Sequence, residues 1–462
     1  MISGFPSVVV IDDNESELDS IKSAFFNAGI PCLPIQYIND DPDNESGIDH
    51  VDISEWVSPR IIVTDLNLTE VQNAKAVNLV GPLAKMLQKL TLTGPYLLCI
   101  WSKLGKDVAE VMQLLEERHR DDMALPLQVS VISKTEFLSE DGKLKEKLKN
   151  LIVENSLFDI LFNWEVRISE AGRNAVSMLY SLAQGNNESK SIENRADELR
   201  KILAAIGNEA IGLKNAAENP ALAMETGLIP VLEDQVRSMS CAELDSKWAE
   251  AIPEIGKKQH IDNAAKSKLN AFYHIEEVPE SFPKDSRGVF ICLNNQYLET
   301  KENVEKFEKR IGRSIECLVH EEFLSRKGKA EGRALTERAR NETILGFLEI
   351  SAACDYAQRK IKFPRYILGA LIPAEFEELS SFTTSQGVKK DRAHDGVYRL
   401  PQIDVNGKAY IVKFSFKYQL GAQPDDNQWF GVSLFRVRDQ ILSAITFNCS
   451  QYASRPGVIS FL

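Results

Sequence analysis

Short apolar runs alternate with helical patterns along the first third of the chain. Five of these runs are rich in β-branched residues, which is typical of strands. They span residues 7–11, 32–37, 60–64, 96–101 and 127–132. Several are apolar at every position, as expected of strands that are covered on both faces. Their alternation with helices predicts a doubly wound, parallel, five-stranded sheet of the flavodoxin-like class.

Amphipathic segments between these runs predict helices. Asn14 followed by Glu17 has the spacing of a capping box, and Gly29 is a typical helix stop. Two later segments carry apolar stripes at helical spacing. The stripes consist of Val77, Val80, Leu83, Leu87 and Leu90, and of Val108, Val111, Met112 and Leu115. Pro82 lies within the first stripe and predicts a kink or a later helix start.

The rest of the chain has a different pattern. Residues 39–58 are polar and predict an insertion loop, and residues 144–278 predict a helical bundle or arm. Beyond residue 278, Asn406-Gly407 predicts a tight hairpin turn, and the following strand alternates with period two and one apolar face. Further strands are expected at 344–350 and 366–372, and a helix at 434–445.

We therefore expect three parts. Residues 1–143 form the α/β domain, 144–278 a helical region, and 279–462 an α+β domain with antiparallel hairpins that serves as an interaction module. The chain of 462 residues is long enough for such a division.

The composition of the chain argues against several classes of protein. The 54 basic and 67 acidic residues leave a net charge of −13, which argues against a general nucleic-acid binder. The sequence has no apolar run long enough to span a membrane and no signal peptide at its start. Its seven cysteines are odd in number and scattered, which favours reduced thiols and a cytoplasmic location.

Chemistry-bearing side chains follow the predicted strands. Asp12 and Asp13 come at the end of the first strand, and Asp65 comes at the end of the third. Ser102 comes at the end of the fourth strand, and Lys134 follows the fifth. Because the carboxyl ends of parallel strands share one edge of the sheet, we expect these groups to converge there.

Clustered carboxylates repel one another unless a cation lies among them, and Mg²⁺ prefers oxygen ligands. One carboxylate can then act as a nucleophile toward phosphorus. A lysine and a hydroxyl would stabilise the phosphoryl oxygens.

This ordered set resembles the receiver domain of two-component signalling. The resemblance implies that Asp12 and Asp13 bind the metal, that Asp65 accepts the phosphoryl group, and that Asn67 offers a backbone carbonyl to the metal. It further implies that Ser102 is the switch hydroxyl and Lys134 the phosphate-contacting lysine. A sensor histidine kinase is the implied partner. On this hypothesis the protein is a phosphoacceptor rather than an enzyme.

Three positions depart from the family pattern. Lys103 follows the switch hydroxyl where a small residue is usual, Val131 replaces a common aromatic residue, and Thr135 replaces a proline. In its layout the chain resembles receiver proteins of Detocs-type bacterial defence operons. That resemblance implies a signal relay or a phosphate sink, with an effector protein as a second partner of the C-terminal module.

Two other hypotheses stay open. One is a C-terminal effector enzyme that is gated by the receiver, with Cys354, Asp355, His320 and His394 as its candidate residues. The other is a scaffold with a degenerate receiver that is not phosphorylated.

Overall fold

The computed structural model describes most of the chain. It covers residues 8–27, 29–39, 47–53, 59–69, 74–91, 93–102, 107–132, 134, 146, 150, 154–184, 192–238, 242–324, 330–383, 389–391, 396–424 and 427–454. Two compact units are formed by Met1–Leu182 with Pro230–Lys257, and by Ala183–Ile229 with Lys258–Leu462. The boundaries expected at residues 143 and 278 stay a prediction. Among the described helices, none is long and apolar enough to cross a membrane.

A five-stranded, all-parallel sheet forms the centre of the first unit. Its strands are β1 (Val8–Asp12), β2 (Leu33–Gln36), β3 (Ile61–Thr64), β4 (Leu97–Trp101) and β5 (Gln128–Ile132). They lie in the order β2-β1-β3-β4-β5. All five predicted strands are present, with ends within one residue of the prediction, and the parallel α/β sheet is confirmed.

Helices cover both faces of this sheet. They are α1 (Glu15–Asn27), α2 (Ala76–Leu90), α3 (Val108–His119) and α4 (Ser156–Gln184). On one face α1 packs with the start of α4, where Phe158 is buried against strand residues such as Val10 and Val63. The other face packs against α2 and α3. Arg60, just before β3, holds α4 through a two-point ion pair with Glu165, with N···O distances of 2.6 and 2.9 Å.

The predicted α2 differs from the structure in two details. The helix begins at Ala76 and Pro82 lies inside it, so Pro82 does not delay its start. Val77 was expected on the buried stripe but is 51% exposed. The buried face is centred on the neighbouring row of Ala76, Leu79, Val80, Leu83, Ala84, Met86, Leu87 and Leu90. Successive residues of a helix are about 100° apart, so Val77, one position after Ala76, lies just outside this buried arc.

The predicted insertion loop is described at residue 39 and at residues 47–53. Gly47 forms an antiparallel bridge with Ile38. Ile48 is buried in the core below α2, and its carbonyl accepts a hydrogen bond of 3.0 Å from Lys89 Nζ. This part of the loop therefore packs against the α/β sheet.

The middle of the chain is largely helical. Its helices after α4 are α5 (Ile192–Ile211), α6 (Leu213–Glu218), α7 (Pro220–Ser238), α8 (Ala242–Ala251) and α9 (Asn263–His274). At its end Ile275–Glu277 forms strand β6 rather than helix, because these residues pair with a later strand of the second sheet.

The second unit contains an antiparallel sheet of seven strands. After β6 come β7 (Val289–Leu293), β8 (Ile344–Glu349), β9 (Arg365–Pro373), β10 (Ser381–Thr383), β11 (Lys389–Asp391), β12 (Val397–Val405), β13 (Lys408–Gly421) and β14 (Phe430–Val437). The order is β12-β13-β9-β8-β7-β14-β6, and β10 pairs with β11 separately. Two apolar clusters lie on its two faces.

Short helices surround this second sheet. They are α10 (Lys301–Ile311), α11 (Ile315–Cys317), α12 (Ala330–Glu342), α13 (Ala353–Ala357), α14 (Glu377–Ser380) and α15 (Asp439–Ala453). A π-helical turn spans Leu318–Phe323, and 3₁₀ turns span Tyr297–Glu299 and Ala374–Phe376.

The predicted hairpin joins β12 to β13. Asn406 and Gly407 both adopt positive φ, 52° and 78°, as a tight hairpin turn requires. The strand after the turn has two buried faces rather than one. Ser415 on the expected polar face is buried, and its hydroxyl donates to Glu322 at 2.6 Å. Glu322 therefore provides the hydrogen-bond partner that water was expected to provide on this face of the strand.

The predicted helix at 434–445 is wrong in its first part. Phe430–Val437 is β14, and α15 begins at Asp439. Buried and less buried residues alternate from Ser433 to Val437, so this part has the period of a strand.

Candidate functional site

The carboxyl end of β1 places Asp12 in a fully buried position. Its backbone carbonyl accepts the N–H of Tyr37 at 2.9 Å, which fixes the end of the strand. Its Oδ1 accepts the N–H of Asn14 at 3.0 Å. Burial raises the pKa of the Asp12 carboxyl, while Lys134 and the Asn14 N–H act in the opposite direction.

Asp65 follows β3, the strand next to β1. Its backbone N–H donates to the carbonyl of Ile11 at 3.1 Å, so the residue stays beside the end of β1. Its Oδ1 accepts the N–H of Leu66 at 2.6 Å. The strand order reverses between β1 and β3, which is the usual place for a ligand site in such sheets.

Lys134 follows β5 and reaches both acids. Its Nζ lies 3.0 Å from Asp12 Oδ2 and 2.8 Å from Asp65 Oδ2, and it also contacts Glu17 Oε2. The side chain is almost fully buried. Burial alone would lower the pKa of the Lys134 ammonium. The hydrogen bonds and charges of the three carboxylates outweigh that effect and raise the pKa above its usual value.

Glu17 enters this cluster from the first turn of α1. Asn14 caps that helix through its Oδ1, which accepts the N–H groups of Ser16 and Glu17 at 3.0 and 3.1 Å. In a full capping box the Glu17 side chain would accept the N–H of Asn14. Here that N–H donates to Asp12, and the Glu17 carboxylate contacts Lys134. The sequence pattern indicated the cap but not this second role of Glu17.

Three carboxylates thus surround one ammonium. One oxygen each of Asp12, Glu17 and Asp65 lies within 4.8 Å of the others, and Asp13 is not in this group among the described residues. The donors are hard oxygen atoms, which fit a divalent cation such as Mg²⁺. With all four groups ionised, the cluster carries two net negative charges, which also favours a cation.

The other expected site residues lie near the same sheet edge. Asp13 and Asn67 are half-buried in the segments that follow β1 and β3. Ser102 follows β4 and is buried, and its N–H donates to the carbonyl of Ile132 at 3.2 Å. Val131 on β5 is exposed. Lys103 and Thr135 lie outside the described residues.

The candidates for a C-terminal enzyme lie on separate elements. Cys354 and Asp355 are in α13, with Sγ 3.8 Å from Asp355 Oδ1, and Cys354 is exposed. His320 is buried in the π-helical turn, 3.9 Å from Glu316. His394 lies outside the described residues. A cavity of about 500 Å³ in this unit is lined by other residues, among them Cys292, Arg340 and Glu342.

Comparisons with protein-family models, with curated proteins and with solved structures give no match to this chain.

Proposed function

We propose that the chain is a receiver-type phosphoacceptor that takes a phosphoryl group on Asp65 from a partner histidine kinase. The observation that carries this proposal is the meeting of Asp12, Asp65 and Lys134 at one sheet edge, from positions far apart in the chain. The strand order β2-β1-β3-β4-β5 supports it, because flavodoxin-like sheets of the receiver type have this order.

The cation of this proposal is Mg²⁺. Asp12 and Asp65 would hold it, together with Glu17 and the expected ligands Asp13 and the carbonyl of Asn67. Bound there, Mg²⁺ would neutralise charge on the phosphoryl oxygens during transfer. The Lys134 ammonium would have to share the carboxylates with it, since it contacts all three.

Asp65, Lys134 and Ser102 would each have a separate role in the transfer. A carboxylate oxygen of Asp65 attacks the phosphorus of the donor phosphohistidine, an O–P bond forms, the N–P bond breaks, and its electron pair stays on the imidazole nitrogen. Lys134 then neutralises a phosphoryl oxygen. Ser102, at the end of β4, would donate its hydroxyl to another. No further catalytic group is required, since the kinase supplies an activated phosphoryl group.

We propose that the protein is a signal relay or phosphate sink in the cytoplasm of a bacterium that carries a Detocs-type defence operon. The antiparallel C-terminal unit would then be the module that contacts an effector protein.

Labelling tests the proposal. The protein is incubated with Mg²⁺ and a small phosphodonor such as acetyl phosphate, and its intact mass is measured. We expect one phosphoryl adduct that maps to Asp65 and that Asp65→Asn lacks. Asp19→Asn, an exposed acid on α1, is the matched control and should be labelled like the wild type.

A wild type without an adduct, in the presence of donor and Mg²⁺, would contradict the proposal. A scaffold with a degenerate receiver would be favoured if Mg²⁺ and BeF₃⁻ also failed to raise the melting temperature, because any ligand that binds only the folded state must raise it.

A further inference from the structure

Glu17 differs from the other two carboxylates that contact Lys134. Asp12 is fully buried and is tied to the end of β1 by backbone hydrogen bonds. Asp65 is the proposed acceptor. Glu17 stands on the first turn of α1, and 28% of its side chain is exposed. It is therefore the carboxylate that can turn toward water at the lowest cost.

A phosphoryl group on Asp65 would change which negative groups compete for contact with the Lys134 ammonium. The acyl phosphate carries close to two negative charges in place of the single charge of the Asp65 carboxylate, and the carboxylates of Asp12 and Glu17 remain beside it. Each contact between the ammonium and a phosphoryl oxygen has to be made at the expense of a contact that exists without it. A first phosphoryl oxygen can take the place of Asp65 Oδ2. A second one has to replace Asp12 or Glu17, and because Asp12 is fully buried, the contact that is given up is that of Glu17.

We propose that Glu17 is a positioning residue that holds Lys134 in the unphosphorylated protein and competes with the phosphoryl group for its ammonium. This inference rests on the proposed function. It assigns to the first turn of α1 a contact that exists only while Asp65 is free. Phosphorylation releases Glu17 from Lys134, and Glu17 lowers the affinity of the site for a phosphoryl group.

The test measures the affinity for BeF₃⁻, a mimic of the phosphoryl group, at saturating Mg²⁺. Saturation removes any effect of the lost charge on the binding of Mg²⁺ itself. Glu17→Gln keeps the size of the side chain and removes its negative charge, so the side chain holds the ammonium more weakly. We expect BeF₃⁻ to bind this variant about tenfold more tightly than the wild type, as the loss of one competing charged hydrogen bond predicts.

Two controls separate competition from a change in fold. Glu15→Gln removes an exposed acid from the same turn and should leave the affinity unchanged. In a Lys134→Met background, Glu17→Gln should change the affinity less than about twofold, because Glu17 acts through that lysine. A merely structural role of Glu17 would persist there. Circular dichroism and thermal unfolding verify that each variant is folded.

The outcomes are distinct. Equal or weaker BeF₃⁻ binding by Glu17→Gln, in a protein whose Asp65 is labelled, overturns this inference and leaves the proposed function intact. A wild type that accepts neither BeF₃⁻ nor a phosphoryl group overturns the proposed function, and the inference with it.

Discussion

Lys134 Nζ lies 2.8 Å from Asp65 Oδ2, although the two residues are 69 positions apart in the chain. The sheet makes this contact possible, because β3 and β5 flank β4 and run in the same direction. The contact joins the cation and the anion that the proposed chemistry needs. The same ammonium lies 3.0 Å from Asp12 Oδ2 and replaces part of the solvation that Asp12 loses by its burial.

Removal of this cation should therefore destabilise the first unit. Lys134→Met leaves Asp12, Glu17 and Asp65 without their shared ammonium. We expect the free energy of unfolding to fall by about 3–5 kcal/mol, the usual cost of breaking a buried ion pair. Urea unfolding with and without Mg²⁺ measures it. Mg²⁺ should stabilise the variant more than the wild type, since it supplies the missing positive charge.

Lys22→Met is the control for that change, because Lys22 forms an exposed pair with Asp19 on α1. It should change the stability by no more than about 0.5 kcal/mol. A loss below about 1 kcal/mol for Lys134→Met would show that the cluster does not depend on its ammonium.

Phe158 tests how α4 is attached to the sheet. The side chain is almost fully buried against β-strand residues and stacks on Phe162, with ring centroids 5.9 Å apart. Phe158→Ala should cost about 3–5 kcal/mol, since it removes a large ring and leaves a cavity. Leu157→Ala, one position away and 38% exposed, should cost less than about 1 kcal/mol. Similar losses for the two variants in chemical denaturation would argue against this packing.

The sequence predicted the first sheet well for a physical reason. Runs such as 96–101 are apolar at every position because both faces of the sheet are covered, and their regular alternation with helical patterns indicates parallel strands. The same reasoning placed Asp12, Asp65 and Lys134 at one edge, where the structure brings them together.

Other features depend on contacts that no local pattern encodes. The side chain of Glu17 fits a capping box by spacing, yet it contacts a lysine 117 positions away. The helix predicted at 434–445 is a strand in its first part, because these residues pair with β7 and β6. Ser415 is polar and was expected in solvent, whereas Glu322 from a distant segment provides its partner.

Glu349 offers a pH test in the second unit. It ends β8 fully buried, and its carboxylate accepts the N–H of Ser351 at 2.9 Å and of Gly288 at 3.4 Å. Burial raises its pKa above the usual value of 4.5, although these hydrogen bonds and Arg287 oppose the shift. The folded state therefore binds the proton of Glu349 more tightly than the unfolded state does.

The sign of the effect follows from that difference. As the pH rises above about 4.5, the unfolded state loses this proton first, so the wild type loses stability relative to Glu349→Gln until the folded carboxyl has also ionised. Urea unfolding of both proteins across this range measures the difference. A difference that stays constant with pH, or that changes in favour of the wild type, would mean that burial does not dominate at this site.

The helix α4 is long, and Phe158 and Glu165 attach its beginning to the sheet. The helix Ser156–Gln184 has 29 residues, so it extends for about 44 Å. Its beginning rests on the sheet. Farther along, Arg167 donates to the carbonyl of Val236 on α7 at 3.4 Å. The helix therefore links the strands to α7, so both contacts would resist a tilt of its first turns.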